Sequence, residues 1–194
     1  LIIADSKANI SWIVADLFSQ AEHDILAQSI LISPDKDLLK KVEKHILEEL
    51  PKQERKKIIE ASLQNFGLLI HSKDIDEAIK ISNDLAPEHL QMSIENSEDY
   101  LDKIENAGAI FLGEFTPEVF GDYWAGTNHV LPTVGTAKFS SPLGVYDFQK
   151  RSNIIKCTKE SSKILAKHAI VIANAEGLFS HKDSAFKRKG NDDE

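Results

Sequence analysis

Ser29-Ile30-Leu31-Ile32-Ser33-Pro34-Asp35 decides the fold. Its three aliphatic residues form an apolar run too short for a helix and suited to a strand buried on both faces. Ser33-Pro34-Asp35 then supplies an N-cap, a first-turn proline and an acidic first turn. Leu38, Leu39, Val42, Ile46 and Leu50 follow on one helical face, and Pro51 breaks the pattern. A buried strand feeding an amphipathic helix is the unit from which parallel α/β sheets are built.

The same unit recurs on both sides. Upstream, Leu1 to Asp5 reads as a buried strand and Ile10 to His23 as a helix. Downstream, Lys52 to Phe66 reads as a helix stopped by Gly67, Leu68 to His71 as a third strand, and Asp74 to Leu85 as a helix with Ile75, Ala78, Ile79 and Ile81 inward. Leu90 to Ile94 alternates as a strand does, Ser97 caps a helix expected over Glu98 to Ala107, and Ala109 to Gly113 reads as a fifth buried strand. Past Thr116 glycines and prolines crowd between Pro117 and Gly144, which reads as loop. Phe148 to Glu176 is expected to be mainly helical, with no strand after it, so this tail is expected to pack on something else, a second subunit included. The polar end from Lys187 to Glu194 is expected to be disordered. The expected divisions are an α/β domain over 1–115, a site-bearing loop region over 116–147 and a helical tail over 148–194.

Composition narrows the class. The 194 residues are 42% hydrophobic, enough for a packed core, and carry a net charge of -8 that argues against a nucleic-acid partner. No apolar run approaches the roughly 20 residues a membrane helix needs, so no membrane partner is expected. Leu1-Ile2-Ile3-Ala4 lacks the charged flank of a signal peptide, and a start at Leu1 without Met suggests a processed or excised piece of something longer. The single cysteine, Cys157, excludes an internal disulfide, fits a reducing cytoplasm, and reads as a half-buried inert thiol.

The chemistry-bearing residues lie in the connections. Pro87-Glu88-His89-Leu90 holds an acid/base couple, and Gly121-Asp122-Tyr123-Trp124-Ala125-Gly126-Thr127-Asn128-His129 holds an Asp and a second His. Gln20 and His23 stand three apart near the end of the first helix and share a face, a spacing that suits metal ligands and equally a solvated surface. Each residue also has a plain reading: Glu88 and His89 on a surface turn, Asp122 capping turn amides, His129 packed in a loop, His181 solvated in the tail. His45, His71 and His168 read as structural. There is no GxGxxG, no P-loop and no GxSxG, so a dinucleotide site of the usual kind is not encoded.

Taken together, Ser19-Gln20-Ala21-Glu22-His23, Pro87-Glu88-His89-Leu90, Gly121-Asp122-Tyr123, Gly126 to Thr133, Asp147-Phe148-Gln149-Lys150-Arg151 and Ala175-Glu176 with His181 beyond it resemble the C-terminal half of histidinol dehydrogenases. The alternation of short apolar strands and amphipathic helices argues for an α/β fold with a mostly parallel open sheet and flanking helices, an incomplete Rossmann-like layout, followed by a helical C-terminal tail. The resemblance implies zinc- and NAD-dependent oxidation of L-histidinol to L-histidine through an aldehyde, the last stage of histidine biosynthesis, in the cytoplasm. By motif position, Gln20, His23, Asp122 and His181 look like zinc ligands, His89 like the general base and Glu88 like the activator of water. Glu176 looks like a substrate contact, as do Gln20, His23, His89, Asp122 and His181, while His129 supports the site. The resemblance also implies a homodimer whose tail crosses to the partner, an absent N-terminal half carrying the NAD contacts, and inactivity of this segment alone. Two other readings fit parts of the pattern: a zinc hydrolase using Glu88 and His89, and a non-catalytic domain-swapped interaction module.

Overall fold

The computed structural model describes residues 1–190. They separate into two compact units, Leu1–Phe148 and a second that starts at Gln149.

The first unit is built on five parallel strands: β1 (Ile2–Ala4), β2 (Ile30–Ser33), β3 (Leu68–His71), β4 (His89–Ser93) and β5 (Ala109–Leu112), in the spatial order β3-β2-β1-β4-β5. This is the doubly wound order, with its reversal between β1 and β4. Period-two alternation sorts the strand side chains between two cores. Ile2, Ala4 and Leu31 face α1 (Ile10–Ala21), α2 (Lys36–Glu49) and α3 (Lys56–Phe66), meeting Ile13, Val14, Leu17, Val42 and Ile59. Ile3, Ile30, Ile32, Leu90 and Met92 face α4 (Ile75–Leu85), meeting Ala78 and Ile79. The α/β fold with a parallel sheet is thus as the sequence indicates.

Several local expectations are corrected. The cap of α2 is Asp35, whose side chain accepts from the amides of Asp37 and Leu38, while Ser33 closes β2. The third helix begins at Lys56, after a 3-10 turn over Leu50–Lys52 that contains Pro51. The stretch read as a helix to Ala107 is a 3-10 helix over Ser97–Lys103 with Asn96, at φ 51°, before it. Both sheet edges are more open than a buried strand: β3 is largely exposed, and in β5 only Phe111 is buried. Edge strands have one neighbour, so an apolar run does not reveal how far they are covered. The stretch read as loop holds α5 (Glu118–Tyr123) and a 3-10 turn over Thr136–Lys138, and a second such turn, Val145–Phe148, follows it.

In the second unit, α6 (Lys159–Ala175) starts eleven residues later than expected at Phe148, behind a Thr158 capping box. Residues 149–158 have no regular structure, and Cys157 there is exposed rather than half-buried. Gly177, at φ 72°, turns the chain into α7 (Phe179–Phe186), a helix the polar sequence did not announce. Lys187 to Lys189 continue from it in hydrogen-bonded turns, against the expectation of disorder; that expectation for 191–194 lies outside the described residues. Among the described residues no helix is long and apolar enough to cross a membrane.

Candidate active site

The site grows from the amino edge of the sheet. Helix α4 ends at Ala86, fully buried and left-handed (φ 50°), a conformation that costs an alanine on the order of 1 kcal/mol or more. The bend sends Pro87-Glu88 straight into β4, whose first residue is His89. Gly108 holds this segment from the other side. Its amide donates to the Pro87 carbonyl (3.0 Å) and the next amide, Ala109, to that of Glu88 (2.8 Å). A Cβ on Gly108 would fall 2.5 Å from the Glu88 carbonyl oxygen, so only glycine lets the strands begin this close.

His89 lies on the α1 side of the sheet and is 8% exposed. Helix α1 runs back from the carboxyl edge and delivers Gln20 in its last turn to the same place. His23 is not on the helix as expected but two residues past its end, because α1 stops at Ala21 with Glu22 as cap. From the opposite direction, α5 brings Glu118 and Asp122 one turn apart. Its close approach depends on Gly121, which lies over the Phe111 ring; that ring in turn packs against His89, with centroids 5.9 Å apart.

One donor atom each of His23, Glu118 and Asp122 can gather within 4.8 Å of one another. His89 sits between the two carboxylates: Nδ1 is 3.8 Å from Glu118 Oε2 and Nε2 is 3.6 Å from Asp122 Oδ1. Both separations exceed hydrogen-bond length, and among the described residues neither ring nitrogen has a hydrogen-bond partner. Burial pushes the Glu118 carboxyl up to about 7. Burial, and then the neighbouring Asp122, push Glu88 above the usual carboxylate range. Burial holds His89 below the ordinary imidazole range, with Asp122 opposing. Groups with ionisation displaced in this way collect where proton transfer or cation binding is done.

A cavity of about 590 Å³ opens beside this cluster. Gln20, Glu88 and His89 line one part of it, and Leu26, Phe66 and Leu85 give it an apolar wall.

Of the residues singled out from sequence, Gln20, His23, Glu88, His89 and Asp122 are thus brought to one edge. His129 is exposed in the loop after α5. Glu176 and His181 belong to the second unit, where they line a groove of about 680 Å³ between α6 and α7 with Ile172, Ser184 and Arg188. Sequence reading missed Glu118. Its signal was present, an acid one helical turn before Asp122 and just after Pro117, but the density of glycines and prolines hid the short helix.

The model of the histidinol dehydrogenase family matches residues 1–189. The chain belongs to this family. It is 54% identical over 188 residues to the histidinol dehydrogenase of Nitrosospira multiformis, covering 97% of this chain and 43% of that one. With the histidinol dehydrogenase of Pseudomonas aeruginosa it shares 52% over 188 residues, covering 97% and 43%. The crystal structure of histidinol dehydrogenase from Elizabethkingia anophelis superposes with a TM-score of 0.90 at 40% identity, over 96% of this chain and 43% of that one. The chain therefore spans less than half the length of the histidinol dehydrogenases it matches.

Proposed function

We propose that this segment is the metal-holding and acid/base part of an enzyme that oxidises L-histidinol to L-histidine through the aldehyde, at the last stage of histidine biosynthesis, in the cytoplasm. The observation that carries the reading is the convergence of His89 with His23, Glu118 and Asp122 at one edge of the sheet. Family membership favours it over the hydrolase and interaction-module readings.

Zinc suits the donors. The set mixes imidazole nitrogen with carboxylate oxygen and lacks thiolate, and the three donor atoms can already meet around one point. Gln20, His23 and Asp122 would hold the ion from this unit, with Glu118 beside them and His181 as the remaining ligand. Bound there, zinc would supply Lewis-acid polarisation and a fixed anchor for the substrate's amino and imidazole nitrogens. The residues do not suit NAD in the same way, since no glycine-rich phosphate loop is encoded; we assign the dinucleotide contacts to the remaining length of the family enzyme.

The chain's own residues then divide the work. His89, buried and kept neutral by that burial, accepts the alcohol proton as hydride departs. Glu88, with its affinity for a proton raised, takes a proton from the water that adds to the aldehyde carbon. Leu26, Phe66 and Leu85 give one side of the cavity an apolar wall. His129 supports the site from the loop region 116–147. Glu176 and His181, on the tail from 148 onward, complete the site of a second subunit in a homodimer. By itself the segment binds zinc without oxidising histidinol.

Zinc titration of the purified chain, with and without L-histidinol and alongside its mass in solution, tests this reading. Zinc held in a dimer and held more tightly with histidinol supports it. A metal-free monomer indifferent to histidinol refutes it for this segment.

A further inference from the structure

Behind His89 the protein encloses a second, much smaller space. It lies between α1, β1, β2 and β4 and measures about 10 Å³, room for the centre of one water molecule. Its walls are unusually polar for the inside of a sheet–helix layer. Asp16, Gln20, His89, Gln91 and Glu118 all line it, with Leu17 and Ile30 as apolar neighbours. Asp16 is one helical turn before Gln20, so the two share a face of α1 with Asp16 at its deep end.

The polar groups are connected but not closed. Gln91 Nε2 donates to Asp16 Oδ2 (2.8 Å), and Ser19 Oγ lies 3.5 Å from Glu118 Oε1. His89 Nδ1, fully buried, has no hydrogen-bond partner among the described residues and is 3.8 Å from Glu118. A buried imidazole nitrogen left without a partner is costly, and at 3.8 Å Glu118 is too far for a direct hydrogen bond. A water in the void can accept from Nδ1–H while giving its own two protons to carboxylates.

We propose that this void is a built water site, and that Asp16 is a positioning residue for His89 acting through that water and Glu118. The water accepts the Nδ1 proton and donates to Glu118 and Asp16. That keeps the ring proton on Nδ1 and leaves the Nε2 lone pair on the Asp122 side of the ring. The burial of Asp16, which pushes its carboxyl above the usual range, agrees with a carboxylate retained at a cost to stability.

Two arms test it, the second resting on the function proposed above and the first independent of it. A high-resolution crystal structure of the enzyme at the full length of its relatives is expected to show one water within about 3.2 Å of His89 Nδ1 and of a carboxylate oxygen of Glu118 or Asp16. An empty void, or a direct His89–Glu118 bond, overturns the proposal. In the same enzyme Asp16→Asn, which preserves shape and the bond from Gln91, is expected to raise the melting temperature. It is also expected to lower kcat by about 10- to 100-fold, with KM for histidinol and zinc affinity within about twofold. A merely structural Asp16 would move stability and turnover together, and unchanged kcat overturns the positioning role. If the wild-type enzyme fails to oxidise histidinol, the functional reading falls and the electron density alone decides the water site.

Discussion

Gly121→Ala adds a single methyl to α5, and the structure gives its consequence. The new Cβ would lie 2.7 Å from Phe111 Cε1 and 2.8 Å from Cζ. Carbon atoms pack at about 3.5–4.0 Å, so α5 and the Phe111 ring must part by roughly 0.8 Å or more. Phe111 is buried on β5 and supports the His89 ring, whereas α5 is six residues long with no side-chain cap, so α5 is the element that yields. Alanine gains about 1 kcal/mol over glycine in helix propensity, and overpacking costs about 1–3 kcal/mol. The net loss of stability is therefore small, about 0–2 kcal/mol. Metal geometry is far less tolerant, because ligand distances must hold to about 0.2 Å and α5 carries both Glu118 and Asp122. We expect zinc affinity to fall at least about tenfold, equivalent to about 1.4 kcal/mol, by chelator-competition titration. Adding Phe111→Leu, which removes the two contacted ring atoms, is expected to recover most of that loss. Zinc affinity in Gly121→Ala equal to wild type, or no recovery in the double variant, would refute the claim that α5 is seated by this contact.

Four further outcomes rest on the same packing. Asp16→Asn is expected to stabilise the protein in a pH-dependent way: the folded-state pKa of Asp16 is raised, so wild type loses stability as pH rises through it. The gain in melting temperature should vanish below about pH 3.9, where the unfolded aspartate is protonated as well. Leu90→Ala, at 0% exposure and one residue from His89, is expected to cost about 2–5 kcal/mol in urea denaturation. Lys7→Ala removes the exposed Lys7–Glu95 pair and should leave the urea midpoint essentially unchanged, despite its 2.6 Å separation, because solvent screens the pair. Gly108→Ala should do more damage than Gly121→Ala, because its Cβ meets the backbone oxygen of Glu88, which has no side-chain freedom to yield; loss of cooperative melting or of zinc binding would show it.

What was legible in the sequence follows from physical range. Ile30, Leu31 and Ile32 of β2 are all buried, with sheet neighbours on both sides and helices on both faces, so their apolar run stands out locally and the parallel sheet could be read directly. The fraying of that reading at Glu98 to Ala107, and at the sheet edges, comes from elements that contribute few buried side chains. Gln20, His23, Glu88, His89 and Asp122 could be named from motif resemblance, but their meeting point depends on the doubly wound order, which no local pattern states. Glu118 stayed hidden because the six-residue α5 has too little periodicity to register, and Asp16 because its partner Gln91 is 75 residues away.

The placement of the site has a consequence for how the fold is used. In open doubly wound sheets ligands gather beyond the carboxyl ends of the strands, at the switch between β1 and β4. Here the turns at that end are tied by local bonds: Asp5 accepts from the amides of Lys7 and Glu95, and Asn9 from those of Ser11 and Trp12 at the start of α1. The helix N-terminus that would cradle a phosphate is thus already capped by a side chain. The candidate site stands at the other end, where α1 finishes, β4 begins and α5 returns along the same face. An amino-edge site lacks the N-terminal dipole of α1 and receives its C-terminal end, which favours cations. That polarity, together with the carboxylates of α5, suits a metal-centred cluster and not a dinucleotide phosphate, and it gives a physical reason why His23, Glu118 and Asp122 gather at this edge without a nucleotide loop.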